Sequence, residues 1–334
     1  MTVGIEQRWY RYWASQPMFH VEPGTNAIHD GFHVKRSGRH FTRAAVLAVA
    51  NQKGGVGKTT TCVSLSAALA QLGARVLMID LDPQGNATSG LGMRAHGGQP
   101  TIYDVLVDGL EISDVVRETT VDGLDILPAN IDLAGAEVEL VSAFSREQRL
   151  KKSIDPIRDQ YDVVLIDCPP SLGLLTVNAL TAADGVVVPI QCEYYALEGL
   201  GALRRNAELI REHLNPALEF TGFVLTMLDA RTRLSQQVVD EVQAHFGDRV
   251  FTTRIPRSVR LAEAPGFGQP ITVFDPGSRG AMAYRRLAKE LFDRLVASDA
   301  ARERSSSPQG GSAPIHERSS SPQGGSAPIQ GATT

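Results

Sequence analysis

Eight consecutive residues, Lys53-Gly54-Gly55-Val56-Gly57-Lys58-Thr59-Thr60, follow a short apolar run and precede a helical pattern. In that setting the glycines let backbone N–H groups curl around a phosphate, and the following helix directs its positive end at it. Lys58 can then reach the outer oxygens of a nucleotide, and the Thr59 hydroxyl is available to Mg²⁺. The usual G-x-x-x-x-G-K-[ST] spacing is not met, because Gln52 occupies the position of its first glycine and Lys53 has been added. Two cations at one anion site repel each other until a polyphosphate is bound, so Lys53 implies a task of its own.

Three carboxylates complement the loop. Asp80 and Asp82 are two residues apart at the end of a second apolar run, and strand periodicity puts them on one face. Asp167 ends the run Val163–Ile166. A carboxylate there suits an outer-shell Mg²⁺ partner acting through a water, although a lone aspartate ending a strand more often caps a helix. A separate stretch carries Arg249, Arg254, Arg257 and Arg260 without an intervening acid, and Arg231 and Arg233 lie shortly before it. A solvated face is the ordinary reading of such a run; phosphate contact without base reading is the functional one.

These groups need a frame. Strands are expected at Ala45–Ala50, Arg75–Asp80, Leu124–Leu127, Asp162–Asp167, Val186–Ile190 and Glu219–Met227. Helices are expected at Thr59–Leu72, stopped by Gly73, and at Ser145–Asp159, Leu172–Ala182, Ala196–His213, Arg233–Phe246 and Ser278–Val296. The alternation predicts a single α/β domain over 45–298, with a mostly parallel sheet covered by helices on both faces. Its ligand crevice should lie at the carboxyl ends of the strands.

The whole chain has 334 residues, 43% of them hydrophobic, with 33 Lys+Arg against 37 Asp+Glu and a net charge of −4, so any nucleic-acid contact must be local. Its three cysteines, Cys62, Cys168 and Cys192, are scattered and form no C-x-x-C, which argues against a disulfide framework, a zinc ribbon or an iron–sulfur site. No apolar run approaches the roughly 20 residues that span a bilayer, and the start MTVGIEQRWYRYW lacks a signal-peptide core, so a cytoplasmic protein is expected.

The loop KGGVGKTT resembles the deviant Walker-A motif of the ParA/MinD ATPases. The segment Asp80-Leu81-Asp82-Pro83-Gln84-Gly85-Asn86-Ala87-Thr88 and Cys168-Pro169-Pro170-Ser171 narrow the likeness to the ParA/Soj partition proteins. Further matching segments are Asp104–Leu106, Leu133–Glu137, Gln191–Gly199 and Thr226–Thr232, and the resemblance covers about residues 45–296.

The resemblance implies a P-loop NTPase fold, ATP and Mg²⁺ as ligands, and slow, partner-stimulated hydrolysis. It assigns Lys53 to the phosphates held by the other subunit of a sandwich homodimer, Asp82 to the attacking water, and Asp80, with Thr59 and Asp167, to the surroundings of the metal. Pro256 is placed beside the adenine, and Arg231, Arg257 and Arg260 against DNA backbone. The implied cycle closes the dimer with ATP on nonspecific nucleoid DNA and releases it when a ParB-type centromere-binding protein stimulates hydrolysis. The alternative is a MinD-type ATPase that cycles on membranes, which would need a lipid-binding amphipathic helix at the C-terminus.

Two extensions flank the domain. Residues 1–44 show no clean period and carry both tryptophans, Trp9 and Trp13, and two Phe-His-Val tripeptides whose histidines are too isolated for a metal site. Residues 299–334 are rich in Ser, Pro and Gly, and repeat ERSSSPQGGSAPI at Glu303–Ile315 and Glu317–Ile329. The first is expected to be poorly ordered because it shows no period, and the second to be a flexible tail, because such a composition buries too little apolar surface to offset the entropy of ordering.

Overall fold

The computed structural model describes residues 41, 43–93, 98–193 and 200–306. A seven-stranded sheet runs through it in the order β3-β4-β2-β5-β1-β6-β7. The strands are β1 (Ala45–Val49), β2 (Val76–Asp80), β3 (Arg117–Glu118), β4 (Leu124–Leu127), β5 (Val163–Asp167), β6 (Gly185–Gln191) and β7 (Glu219–Thr226). All neighbours pair in parallel except β3 and β4. This is the expected α/β architecture, a P-loop NTPase-like domain.

Alternate residues of the same strands feed two separate cores. Val46, Ala48, Leu77, Ile79, Val164 and Ile166 face one side with helices α2 (Leu174–Ala182) and α3 (Leu200–His213). Leu47, Val49, Val76, Met78, Val163 and Leu165 face the other with α1 (Lys58–Gln71) and α5 (Arg279–Ser306). The strands therefore read as unbroken apolar runs, because both faces are covered. Helix α4 (Arg233–Phe246) presents Val238, Val239 and Val242 to the first core.

Several boundaries differ from the sequence expectation, each for a local reason. The helix expected at Ser145–Asp159 is α-helical only over Arg149–Ile154; Ser145 has φ 52°, and Asp155–Gln160 is a 3₁₀ turn. Pro156 lies inside that turn, where it removes an N–H donor and disfavours α geometry in the residue before it. β7 stops at Thr226 because Met227 takes φ 53°. The last helix continues from Arg279 to Ser306, ten residues beyond the expected Val296, so the first part of the presumed tail, from Asp299, is helical.

Strand β3 and the short helices at Asn86–Gly90, Ile102–Leu106, Ile112–Val115 and Leu133–Glu139 carry too few residues to show a period. The Phe-His-Val repeats, residues 307–334 with most of the duplicated segment, and Tyr194–Gly199 of the matching segments lie outside the described residues. Among the described residues, no helix is long and apolar enough to cross a membrane.

Candidate active site

The strand order turns at β1, which lies between β5 and β6, so the loop leaving β1 opens at the switch point of the sheet. Asn51 fixes the start of that loop: its Nδ2 donates to Pro189 O at 2.8 Å, and its Oδ1 accepts from Lys53 N at 3.0 Å. Gly55 (φ 74°) and Gly57 (φ 88°) take left-handed backbone conformations, and Gly57 is the N-cap of α1. A Cβ added at Gly54 or Gly55 would meet nothing within 4 Å, and both glycines are exposed, so the loop backbone is open to an approaching phosphate.

Val56 faces inward, buried, and its carbonyl accepts from Thr226 Oγ1 at 2.9 Å. The end of β7 thereby braces the loop. Lys58 is 7% exposed and its Nζ donates to Lys53 O at 3.4 Å. Burial lowers the Lys58 pKa, opposed by the nearby Asp167, the Cys168 thiol and Asp82. Thr59 and Thr60 follow on the first turn of α1.

Register places Asp80 of β2 directly beside Asp167 of β5. Their environments differ sharply. Asp80 Oδ2 accepts from both the backbone N–H and the hydroxyl of Thr88 at 2.7 Å, and Oδ1 accepts from Asp82 N at 3.2 Å. Burial pushes its carboxyl up to about 6 despite these donors. Asp167 is also fully buried, but neither of its oxygens has a hydrogen-bond partner. The Thr59 hydroxyl lies close enough to favour its ionised form without making a hydrogen bond of ordinary geometry. Burial and the neighbouring Asp80 hold Asp167 well above the usual carboxylate range.

An orphaned carboxylate facing Thr59 and Lys58 fits a hydrated divalent cation. Asp80 fits one less well, because its oxygens already accept protein donors. Asp82, 9% exposed, accepts from Gln84 N at 3.0 Å and lies at the mouth of the same crevice.

Pro256 is brought to the site by an irregular segment that follows β7 in parallel. Phe251 N donates to Phe223 O, Ile255 N to Leu225 O, and Arg257 N to Leu228 O. Pro256 thus pairs with Leu228, one residue after Met227, whose methyl would lie 3.9 Å from a Cβ at Gly57. This segment also divides the arginine-rich stretch. Val250 bridges to Phe223 in the middle of β7 and Pro256 to Leu228 beyond its carboxyl end, so Arg249 lies beside mid-strand and Arg257 and Arg260 follow past the strand's end.

Arg231 pairs with Asp229 at 2.9 Å, Arg257 with Glu193 at 2.9 Å, and Arg260 with Glu263 at 3.0 Å and Asp275 at 3.3 Å. Asp229, held at about 2 chiefly by its hydrogen bonds from Arg231, also feels Arg257, so these two arginines share one neighbourhood. Sequence reasoning anticipated the arginines but missed the four acids that face them. It also missed Asn51 and Thr88 as supports of the loop and of Asp80; the polar type of each, next to a strand end or a tight turn, was the available signal.

Residues 44–220 match the family described as AAA domain. The chain is 57% identical over 246 residues to the sporulation initiation inhibitor protein Soj of Bacillus subtilis, covering 74% of this chain and 97% of Soj. It is 53% identical over 251 residues to the chromosome partitioning protein ParA of Caulobacter vibrioides, covering 75% and 94%. The chain belongs to the ParA/Soj family. Among solved structures, a Mycobacterium smegmatis protein titled cobyrinic acid a,c-diamide synthase, with bound ADP and magnesium, superposes with a TM-score of 0.68. It is 41% identical, and the match covers 76% of this ParA/Soj member and 96% of that chain. The family segment spans the loop and all three carboxylates; Arg231, Arg257 and Arg260 lie beyond its end, and the extension before residue 44 lies outside it as well.

Proposed function

We propose that this chain is an ATP-dependent dimeric switch for chromosome or plasmid partitioning, cytoplasmic and associated with the nucleoid. The observation that carries the reading is Asp167, a buried carboxylate whose oxygens have no hydrogen bond of ordinary geometry, near Thr59 and Lys58 and the exposed glycines of the loop. Gly54–Thr60 would hold the phosphates of ATP through backbone N–H groups and the Lys58 ammonium, and Pro256 would flank the base. Thr59 and Asp167 would hold Mg²⁺, with Asp80 behind them, itself held by Thr88 and the Asp82 N–H. When bound, Mg²⁺ supplies charge neutralisation on the transferred phosphoryl group.

Asp82 would orient the attacking water, and Lys53 would complete the phosphate site of a second subunit. No group in the crevice is a dedicated strong base, which favours slow turnover until a ParB-type protein stimulates it. Arg231, Arg257 and Arg260 would hold DNA backbone without reading bases.

Co-sedimentation with DNA in ATP, ADP or no nucleotide, repeated with a ParB-type peptide, tests the reading. Binding that needs ATP and is reversed by the peptide is expected. Nucleotide-independent binding would overturn it.

A further inference from the structure

The segment that carries Pro256 to the crevice is not a regular strand. Its Phe251 N–H donates to Phe223 O at 2.9 Å and its Ile255 N–H to Leu225 O at 2.8 Å, so it advances four residues while β7 advances two. The surplus backbone must bulge away from β7, and its amides need other acceptors.

One side chain of α5 supplies them. Glu290 Oε1 accepts from Thr252 N at 2.7 Å, and Oε2 accepts from Thr253 N at 3.0 Å. Both oxygens of one carboxylate thus close on consecutive N–H groups, and the charge strengthens each bond. Burial opposes ionisation of Glu290, but these donors and the nearby Arg294 outweigh it and hold the carboxyl below its ordinary value.

Arg294, one turn further along α5, pairs with Glu290 at 3.1 Å and spreads its other donors over the same stretch. Its Nη2 donates to Val250 O at 3.1 Å, and its Nη1 to Arg249 O at 3.3 Å and Thr221 O at 3.4 Å. The guanidinium lies 4.1 Å from the centre of the Phe251 ring. Gly222 of β7 makes room for that ring: a Cβ there would stand 2.4 Å from Phe251 Cε2 and 2.9 Å from Arg249 O. From this anchor, Arg254 and Ile255 lead directly to Pro256, a reach of at most about 10 Å. A shift of the bulge is therefore passed on to Pro256 with little slack.

We propose that Glu290 and Arg294 are positioning residues for the nucleotide base: their grip on Arg249–Thr253 fixes the register at which Pro256 meets the crevice. This rests on the assignment of Pro256 to the base. Only the base half of a nucleotide should sense the grip. The phosphate loop is built between β1 and α1 and braced by Thr226, so its hold on phosphates does not run through α5 residues 290 and 294.

Glu290→Gln keeps the shape of the side chain but turns a donor toward one of the two N–H groups. Arg294→Met keeps bulk over the Phe251 ring and removes every donor. Calorimetric titration of the full chain with ATP and with inorganic triphosphate, each with Mg²⁺, separates the two halves of the ligand. Each variant should bind ATP about tenfold more weakly than the parent and triphosphate within about twofold of it. In steady-state hydrolysis the loss should appear in KM and leave kcat unchanged, because a base contact holds ground state and transition state equally. The Thr252 and Thr253 amide protons should exchange faster in Glu290→Gln.

Amides that stay protected in Glu290→Gln, or ATP affinity unchanged in both variants, would overturn the proposal. So would an equal loss of ATP and triphosphate binding, which would make the pair a general support of the fold. A parent protein that binds triphosphate as tightly as ATP would remove Pro256 from the base, and the proposal with it.

Discussion

Replacing Thr88 with valine asks whether the buried Asp80 carboxylate is held by its hydrogen bonds. Thr88 is 2% exposed, and its hydroxyl donates to Asp80 Oδ2 at 2.7 Å while accepting from the Ala129 N–H at 3.0 Å. Valine keeps the shape and loses both. A hydrogen bond to a charged acceptor contributes about 1.5–3 kcal/mol, and a buried N–H left unpartnered costs about 1–3 kcal/mol. The Thr88 backbone N–H still reaches Oδ2, also at 2.7 Å, so the lower part of the combined range is expected, about 3 kcal/mol. In a domain of this size that lowers the melting temperature by about 6–12 °C.

The sign of the pH dependence follows from Asp80, whose carboxyl is raised to about 6 from its ordinary 3.8. In that window the folded state binds more protons than the unfolded one, so stability falls as pH rises through it. Losing a donor to the ionised form raises the carboxyl further and extends the loss above pH 6. The destabilisation by Thr88→Val should therefore be larger at pH 8 than at pH 5, read as urea midpoints with matched m-values. An equal loss at both pH values, or a loss below about 1 kcal/mol, would refute the reasoning.

Other expected outcomes concern the proposed switch. Lys58→Ala should abolish ATP binding in calorimetry, because it removes a mostly buried cation aimed into the cradle. Asp82→Ala should bind ATP, dimerise and remain on DNA; rapid hydrolysis by this variant would remove Asp82 from its assigned role. Arg260→Ala should weaken nonspecific DNA binding and reduce the salt slope by about 1 while leaving ATP-dependent dimerisation intact. Loss of dimerisation together with DNA binding would make Arg260 a structural residue, held by Glu263, Asp275 and the Phe274 ring.

The parts of the fold legible in the sequence are those whose cause is local. Apolar runs such as Val76–Asp80 and Val163–Asp167 become buried parallel strands because nothing polar interrupts them. The phosphate loop is legible because glycine is needed where φ is positive, at Gly55 and Gly57. What was not legible depends on residues distant in sequence. The bracing of Val56 by Thr226 spans 170 positions, and the pairing of Arg257 with Glu193 spans 64. The arginine stretch reads as one patch along the chain, but the segment after β7 runs parallel to it, so Arg249 lies beside mid-strand and Arg257 beyond the strand's carboxyl end.

That separation bears on how a DNA face on this molecule could work. At the loop end, Arg231, Arg257 and Arg260 meet Asp229, Glu193, Glu263 and Asp275, so three guanidinium charges face four carboxylates. These three arginines with their four partners therefore offer no net positive charge to draw in a polyanion. Each phosphate contact would have to displace an exposed ion pair, and such pairs contribute only about 0–1 kcal/mol, so exchange is nearly neutral and one subunit's grip on DNA would be weak. Two subunits held together would double the contacts and, with the second event made intramolecular, raise avidity by orders of magnitude without any new interaction. Paired arginines are thus compatible with the proposed DNA-binding role, in which dimerisation would be the step on which retention depends. Opening the dimer would be enough to release the strand.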